Sequence, residues 1–315
     1  MALTYAQMDA VTEKYHVKKI PQQAYDSNIL MKRLAQGNRV KVVSGGRKIF
    51  HPIRHEELGT SSFIDPDNAR VIQNVETRTA LELNWCYMVC DMVMTWQEKT
   101  ENRGVPQIVS LMNDKVTEVK DDTYKKFSTA LYQAQTSKAT EEIDGLLQII
   151  QTTGSSTTYA GISTTDASNW DAGLYDASTT TLALFGSGSL EAGVRACTFI
   201  EPPNLIMTTR AIAGRYAGKL QPSERRVPGN GKSGATELGF MGIPIIADPQ
   251  CLANDLYFLN TNHLWMYVQS GYNFTPDGWK IDPARYHADV NFISWVGNLV
   301  CDTRKTQGSY SALSA

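Results

Sequence analysis

No stretch of the 315-residue sequence approaches the roughly 18 consecutive apolar residues of a membrane-spanning helix, and the opening MALTYAQMDAVTEKY lacks the basic-then-apolar order of a secretory signal. Synthesis in the cytosol, with no membrane partner, is the expectation. An excess of either charge is also missing. The 30 Lys and Arg nearly balance the 32 Asp and Glu, leaving a formal net charge of −2. That argues against a dedicated nucleic-acid binder, whose domains usually carry a basic excess, although a protein that merely encloses nucleic acid need not be basic. Cysteine is scarce, scattered and odd in number: Cys86, Cys90, Cys197, Cys251 and Cys301. Cys86 and Cys90 are four apart, but no second pair or histidine cluster follows at zinc-site spacing, so all five read as buried reduced thiols.

Catalytic patterns are missing as well. There is no Ser/His/Asp order, no paired-acid motif and no metal constellation, so no catalytic residue, cofactor or metal is expected. Gly231-Lys232-Ser233 looks like the end of a phosphate-binding loop, yet Arg226 stands where the first glycine belongs, and neither a strand before it nor a helix after it is legible. His51 and His55 have the i,i+4 spacing of helical metal ligands, but Pro52 and a strand context spoil that geometry.

What is present is a soluble, globular composition, 42% hydrophobic and 20% charged, long enough for one large domain or two. The clearest periodic signal runs from Pro106 to Gln135. Ile108, Leu111, Met112, Val116, Val119, Thr123, Phe127, Ala130, Leu131 and Ala134 fall on one stripe of a helix about 45 Å long. Asp121 to Lys125 and Asp122 to Lys126 support its polar face as acid-first pairs.

Ahead of the helix, residues 1–38 read as an arm with short helices on either side of Pro21, closed by Gly37. Its Lys14, Lys18, Lys19, Lys32 and Arg33, with Arg39, form either a solvated face or a contact with an acidic neighbour or enclosed nucleic acid. From Val40 the pattern becomes strand: Val40, Val42, Ile49 and Ile53 flank Gly45-Gly46. The returning run puts Val71, Val75, Thr77, Thr79, Leu81, Leu83, Trp85, Tyr87 and Val89 on one face. The product is a long two-stranded projection, which cannot be stable alone and should lie against something else.

After the long helix, Thr140 is a candidate cap for a second one, with Glu141 and Glu142 in its first turn, ending near Gly154. Ser/Thr/Gly-rich loops follow, then a strand at Asn204–Thr208, a helix at Thr209–Leu220 and a strand at Gly242–Ala247. Leu256 to Gln269 reads as a hairpin turning at Asn260, Thr261 and Asn262, and Asp289 to Thr303 as strand. Trp170, Trp265, Trp279 and Trp295 read as core residues.

Several segments in this order resemble one family. Tyr159-Ala160-Gly161-Ile162-Ser163 with Trp170 follows the helix. Pro203 to Thr209 leads to Tyr216, and Phe240-Met241-Gly242-Ile243-Pro244-Ile245-Ile246-Ala247-Asp248 leads to Leu256-Tyr257-Phe258-Leu259-Asn260. Trp295-Val296-Gly297-Asn298-Leu299 closes the set. Together they resemble the HK97-fold major capsid proteins of tailed double-stranded DNA bacteriophages, over most of residues 38–310.

The resemblance implies an α+β, HK97-like capsid fold. Its parts would be an N-terminal arm (1–38), an extended loop (39–80, a long β-hairpin), a peripheral domain (81–150 and 272–315) with a spine helix over 106–135, and an axial α/β domain (151–271). It further implies a non-enzymatic virion protein that self-assembles into hexamers and pentamers of an icosahedral head. Its partners would be a portal, a separate scaffolding protein, a possible decoration protein and, non-specifically, the packaged DNA. A built-in scaffolding region has no room before the hairpin. Arg47, Lys48, Arg54, Glu56 and Glu57 on the hairpin, and Arg225 and Arg226 in the polar loop of the axial domain, are the candidate inter-subunit contacts, because rim charges set register and identical loops converge on a symmetry axis. The alternatives are a nanocompartment shell of the same fold enclosing cargo enzymes, and a soluble hydrolase or binding module.

Overall fold

A computed structural model describes residues 28–54, 61, 77–101, 105–133, 142–151, 158–164, 170–178, 181–186, 188–220, 238–283 and 288–313. Helix α1 (Ile29–Gln36) opens the described chain. The Asn28 side chain accepts from the Met31 amide at 3.0 Å, and Gly37 closes the helix. Strand β1 (Val40–Val43) then enters a sheet directly. Gly45 and Gly46, both at positive φ, turn the chain out of it into β2 (Ile49–Arg54), which pairs antiparallel with β3 (Arg78–Leu83). The expected hairpin therefore starts at Ile49, since Val40–Val43 runs parallel to a strand more than 200 residues away.

The run expected to share one face up to Val89 breaks at Trp85. Leu81, Leu83 and Trp85 are buried, but so is Cys86, and Tyr87 and Val89 are 66% and 55% exposed. Two buried residues in succession shift the alternation by one, and β4 (Cys86–Met94) begins in another sheet with its even-numbered residues inward. Asn84 and Trp85 form the break. The Trp85 indole N–H donates to the Gly46 carbonyl at 2.9 Å, pinning the exit of the hairpin to its entry.

A short α2 (Trp96–Glu101) leads to α3 (Val105–Tyr132), the long helix anticipated from periodicity. Among its described side chains, Val116, Thr123, Phe127 and Leu131 are buried, while Asp121, Asp122, Lys125 and Lys126 are exposed, as the stripe requires. The next helix, α4 (Leu146–Ile150), is capped by Gly145, and Glu142 lies before it rather than in its first turn. Thr140 lies outside the described residues. Glycine is required at 145, because a Cβ there would collide with the carbonyls of Gln133 and Ala130 at the end of α3.

Short strands β5 (Thr158–Tyr159), β6 (Ile162–Ser163) and β7 (Leu174–Asp176) follow. Then come α5 (Leu190–Ala196), β8 (Leu205–Thr208), α6 (Arg210–Lys219), β9 (Leu238–Phe240) and β10 (Ile243–Ala247). Sequence reading finds β8, α6 and β10 within a residue or so, but not β7 or α5. The hairpin expected over Leu256–Gln269 is not one. Strand β11 (Leu256–Leu259) pairs with β8, whereas β12 (Leu264–Pro276) pairs with β1 and with β14 (Asp289–Cys301) in a different sheet. The Asn260 side chain accepts from the Asn262 amide and starts a 3-10 turn that carries the chain across instead of back. Strands β13 (Lys280–Ile281) and β15 (Gly308–Tyr310) complete the set.

The five-stranded sheet runs β1-β12-β14-β13, with β4 on the far side of β14, and the six-stranded sheet runs β7-β15-β11-β8-β10-β9. One core lies under α3 and also takes in Leu205, Met207, Tyr257 and Leu259 from one face of the six-stranded sheet; a second lies on that sheet's other face. Helix α3 covers the first, where Phe127 meets Trp295 edge-on at 5.0 Å and Phe274 stacks on Trp295 at 6.1 Å. In the second, α5 and α6 cover Ile206, Ile245, Phe258 and Tyr310. After β14 the chain crosses to the six-stranded sheet, so β15 and β14 belong to different layers. Tyr132, the last residue of α3, links the two by donating to the Asp248 carboxylate at 2.7 Å just beyond β10.

Candidate functional site

The surfaces with most to offer another molecule are the β2–β3 hairpin and the edge strand β4. Alternation on the hairpin sends Ile49, His51 and Ile53, with Leu81 and Leu83, inward. Phe50, Pro52 and Arg54 face outward opposite Glu82, Ala80 and Arg78. The base is not an isolated ribbon: its inner side chains join the main core, and the Glu82 amide donates to the Ala160 carbonyl at 3.1 Å. The support that a two-stranded projection needs is thus supplied, at the base, by the chain itself. On the outer face Lys48 and Glu82 form an exposed ion pair at 2.7 Å, a contact worth no more than about 1 kcal/mol. Arg54 stands directly opposite Arg78, both exposed, and Phe50 is 58% exposed beside them.

Of the sequence candidates, Arg47 and Lys48 lie just before β2, at the base of the hairpin, and Arg54 is the last residue of that strand. Glu56 and Glu57, like Arg225 and Arg226, lie outside the described residues, as do His55 and Gly231-Lys232-Ser233. All five cysteines are free, and burial pushes the Cys86 thiol up to about 12. Among the described residues no group of His, Cys, Asp and Glu is arranged to hold a metal, and no helix is long and apolar enough to cross a membrane.

Two polar clusters that sequence reading did not find anchor this region. Where β3 breaks into β4, Asn298 on β14 donates to the Asp144 carboxylate at 2.7 Å and to the Asn84 carbonyl at 3.0 Å, and its own oxygen accepts from the Asp144 amide at 2.9 Å. Burial raises the Asp144 carboxyl to about 6, against the pull of the Asn298 bond. At the inner face of the hairpin, His51 Nδ1 lies 2.7 Å from the Tyr267 hydroxyl. Its Nε2 lies 4.0 Å from Asp302, which also pairs with His263 Nδ1 at 2.7 Å and accepts from the Trp265 indole at 3.1 Å. No local pattern could have announced either cluster, since each joins residues far apart in the chain.

No family model and no characterised protein sequence matches the chain. Solved structures do. The capsid asymmetric unit of cyanophage A-1(L) superposes with a TM-score of 0.63 at 17% identity, covering 88% of this chain and 91% of that one. The capsid of a native GTA particle gives 0.61 at 10% identity, covering 89% and 90%. An encapsulin complex of Synechococcus elongatus gives 0.50 at 11% identity, covering 90% and 87%. At these identities the likeness is one of fold. The chain has the α+β fold of phage capsid proteins, as the resemblance in its sequence implied.

Proposed function

We propose that the chain is a major capsid protein, a structural subunit that assembles into hexamers and pentamers of an icosahedral phage head around double-stranded DNA, and that it performs no catalysis. The observation that carries this reading is the extent of the likeness: nearly the whole chain matches nearly the whole of a phage capsid subunit. In this reading residues 81–150 and 272–315, with α3, form the peripheral domain and residues 151–271 the axial one. Residues 1–38 are the arm, and the β2–β3 hairpin with its tip is the extended loop that reaches a neighbouring subunit. Arg47, Lys48, Arg54, Glu56 and Glu57 contact that neighbour, and Arg225 and Arg226 meet their copies around the axis. These are heterologous contacts that close into rings. The partners are further copies of the chain, a portal, a separate scaffolding protein and a decoration protein, with non-specific contact to the packaged DNA, and the finished location is the virion.

Sedimentation of the purified chain, alone and co-expressed with its scaffolding partner, tests the reading when native particles are then digested with nuclease. The expected product is a species of many copies that retains nuclease-protected DNA. Protein cargo in place of DNA would make it a nanocompartment shell, and a strictly monomeric product under every condition would sink the reading.

A further inference from the structure

The polar cluster under the hairpin has a composition that backbone pairing does not call for. One carboxylate, Asp302, follows β14 and is shared by His263 at 2.7 Å, the Trp265 indole at 3.1 Å and, at 4.0 Å, His51 from the hairpin. His51 reaches the five-stranded sheet through the Tyr267 hydroxyl at 2.7 Å and packs on the Tyr267 and Trp265 rings, each 5.9 Å away between centroids. Two basic side chains lie over the same rings. The Arg39 guanidinium lies over the Trp265 ring at 4.4 Å, and the Lys41 ammonium over the Tyr267 ring at 5.4 Å. Glu201 stands at the rim, within reach of the fields of His263 and Arg39.

Among the described residues, His51 makes the hairpin's side-chain hydrogen bond to β12. We propose that this cluster is a pH-sensitive latch on the base of the β2–β3 hairpin, holding it on the five-stranded sheet while His51 is neutral and loosening it when His51 is protonated.

The charge balance gives the direction. Neutral His51 completes a cluster that also holds Asp302 and Lys41, with Arg39 and Glu201 at its edge. Protonating His51 adds a half-buried cation beside Lys41, with Asp302 at 4.0 Å already paired to His263 and the Trp265 indole. Burial, the largest influence, and then the nearby Lys41 disfavour the imidazolium, against the attraction of Asp302, so the docked ring titrates below its ordinary value of 6.5. A lifted hairpin returns the ring to water and to that value. The lifted state therefore binds more protons as pH falls below about 6.5, and docking is complete above that pH and weakens below it. The consequence for assembly rests on the reading of the hairpin as an inter-subunit arm. The latch itself is a property of one chain, which lets the two fail separately.

Amide hydrogen exchange of the full chain between pH 7.5 and 5.5, corrected for the intrinsic pH dependence of exchange, reads the opening of individual strands. The expected result is that Ile49–Arg54 and Arg78–Leu83 lose protection at least about threefold at the lower pH, while the paired stretch Leu264–Val268 with Gly297–Cys301 is unchanged. His51→Gln, which keeps a polar partner for Tyr267, and His51→Phe should each abolish this dependence, and His263→Gln should retain it. Protection in the wild-type hairpin that is indifferent to pH would overturn the proposal even if neither His51 variant folds. So would a pH dependence that survives in a folded His51 variant.

Discussion

At the scale of single residues, the least expected side chain is Arg304, which is wholly buried although it carries a charge. Its guanidinium donates to the carbonyls of Ile149 at 2.7 Å, Trp170 at 3.1 Å and Gln151 at 3.2 Å, and lies over the Tyr159 and Trp170 rings. It serves as a staple, gathering the end of α4 and the loop before β7 onto the turn after β14. Arg304→Ala leaves three carbonyls without donors. An unmet buried group costs about 1–3 kcal/mol, so a loss of about 3 kcal/mol or more is expected in urea denaturation.

Asp144 makes the opposite kind of prediction. Its carboxyl is held near 6, above the ordinary 3.8, chiefly by burial. Its contribution is therefore fully present below about pH 4 and is lost as pH rises through 6. Asp144→Asn keeps an acceptor for Asn298 and should remove that slope, gaining on the order of 2–3 kcal/mol over wild type at pH 7.5 and little at pH 4. Equal unfolding free-energy differences at both pH values would count against this account. Neither residue could be singled out from the sequence. Arg304 is one of many arginines until the carbonyls that converge on it are known, and Asp144 becomes unusual only once Asn298, over 150 positions away, is beside it.

At the scale of elements, legibility followed the range of the signal. Helix α3 was legible because its stripe repeats over eight turns or so, and β8, α6 and β10 because each carries a compact local pattern. The β3–β4 run misled, because alternation tells which residues share a face only while one strand continues. At Trp85–Cys86 the chain changes sheets, and the phase with it. The Leu256–Gln269 segment misled for a related reason: a polar turn between apolar runs marks a change of direction but not the partner strand, and here the second run joins β1 and β14.

The hairpin carries its own prediction at this scale. Arg54 opposite Arg78 is a like-charge cross-strand pair, an arrangement that costs a few tenths of a kcal/mol or more. Arg54→Glu should weaken assembly, measured by sedimentation. If the variant assembles as wild type does, Arg54 is no inter-subunit contact.

At the scale of the molecule, the core under α3 is shared between the sheets: Leu205, Met207, Tyr257 and Leu259 from one face of the six-stranded sheet pack into it, and the second core lies on that sheet's other face. The Tyr132 hydroxyl on Asp248, the Tyr257 hydroxyl at 3.4 Å from the Tyr132 carbonyl, and the crossing from β14 to β15 connect the sheet under α3 with the sheet under α5 and α6. The exposed hairpin face and the edge strand β4, with Tyr87 and Val89 outward, lie on the first of these units. The order of segments along the chain was enough to expect the fold, because that order survives where individual residues do not. The solved capsid structures share it at 10–17% identity. The surfaces that would bind copies were less legible, since contact residues are exposed and carry no periodic signature.

The proposed function requires that this chain join copies of itself. Negative-stain electron microscopy of the purified protein, with and without its scaffolding partner, tests that most directly. Rings, tubes or closed shells built from five- and six-fold units are the predicted result. A field of single, unassembled molecules under all of those conditions would contradict it.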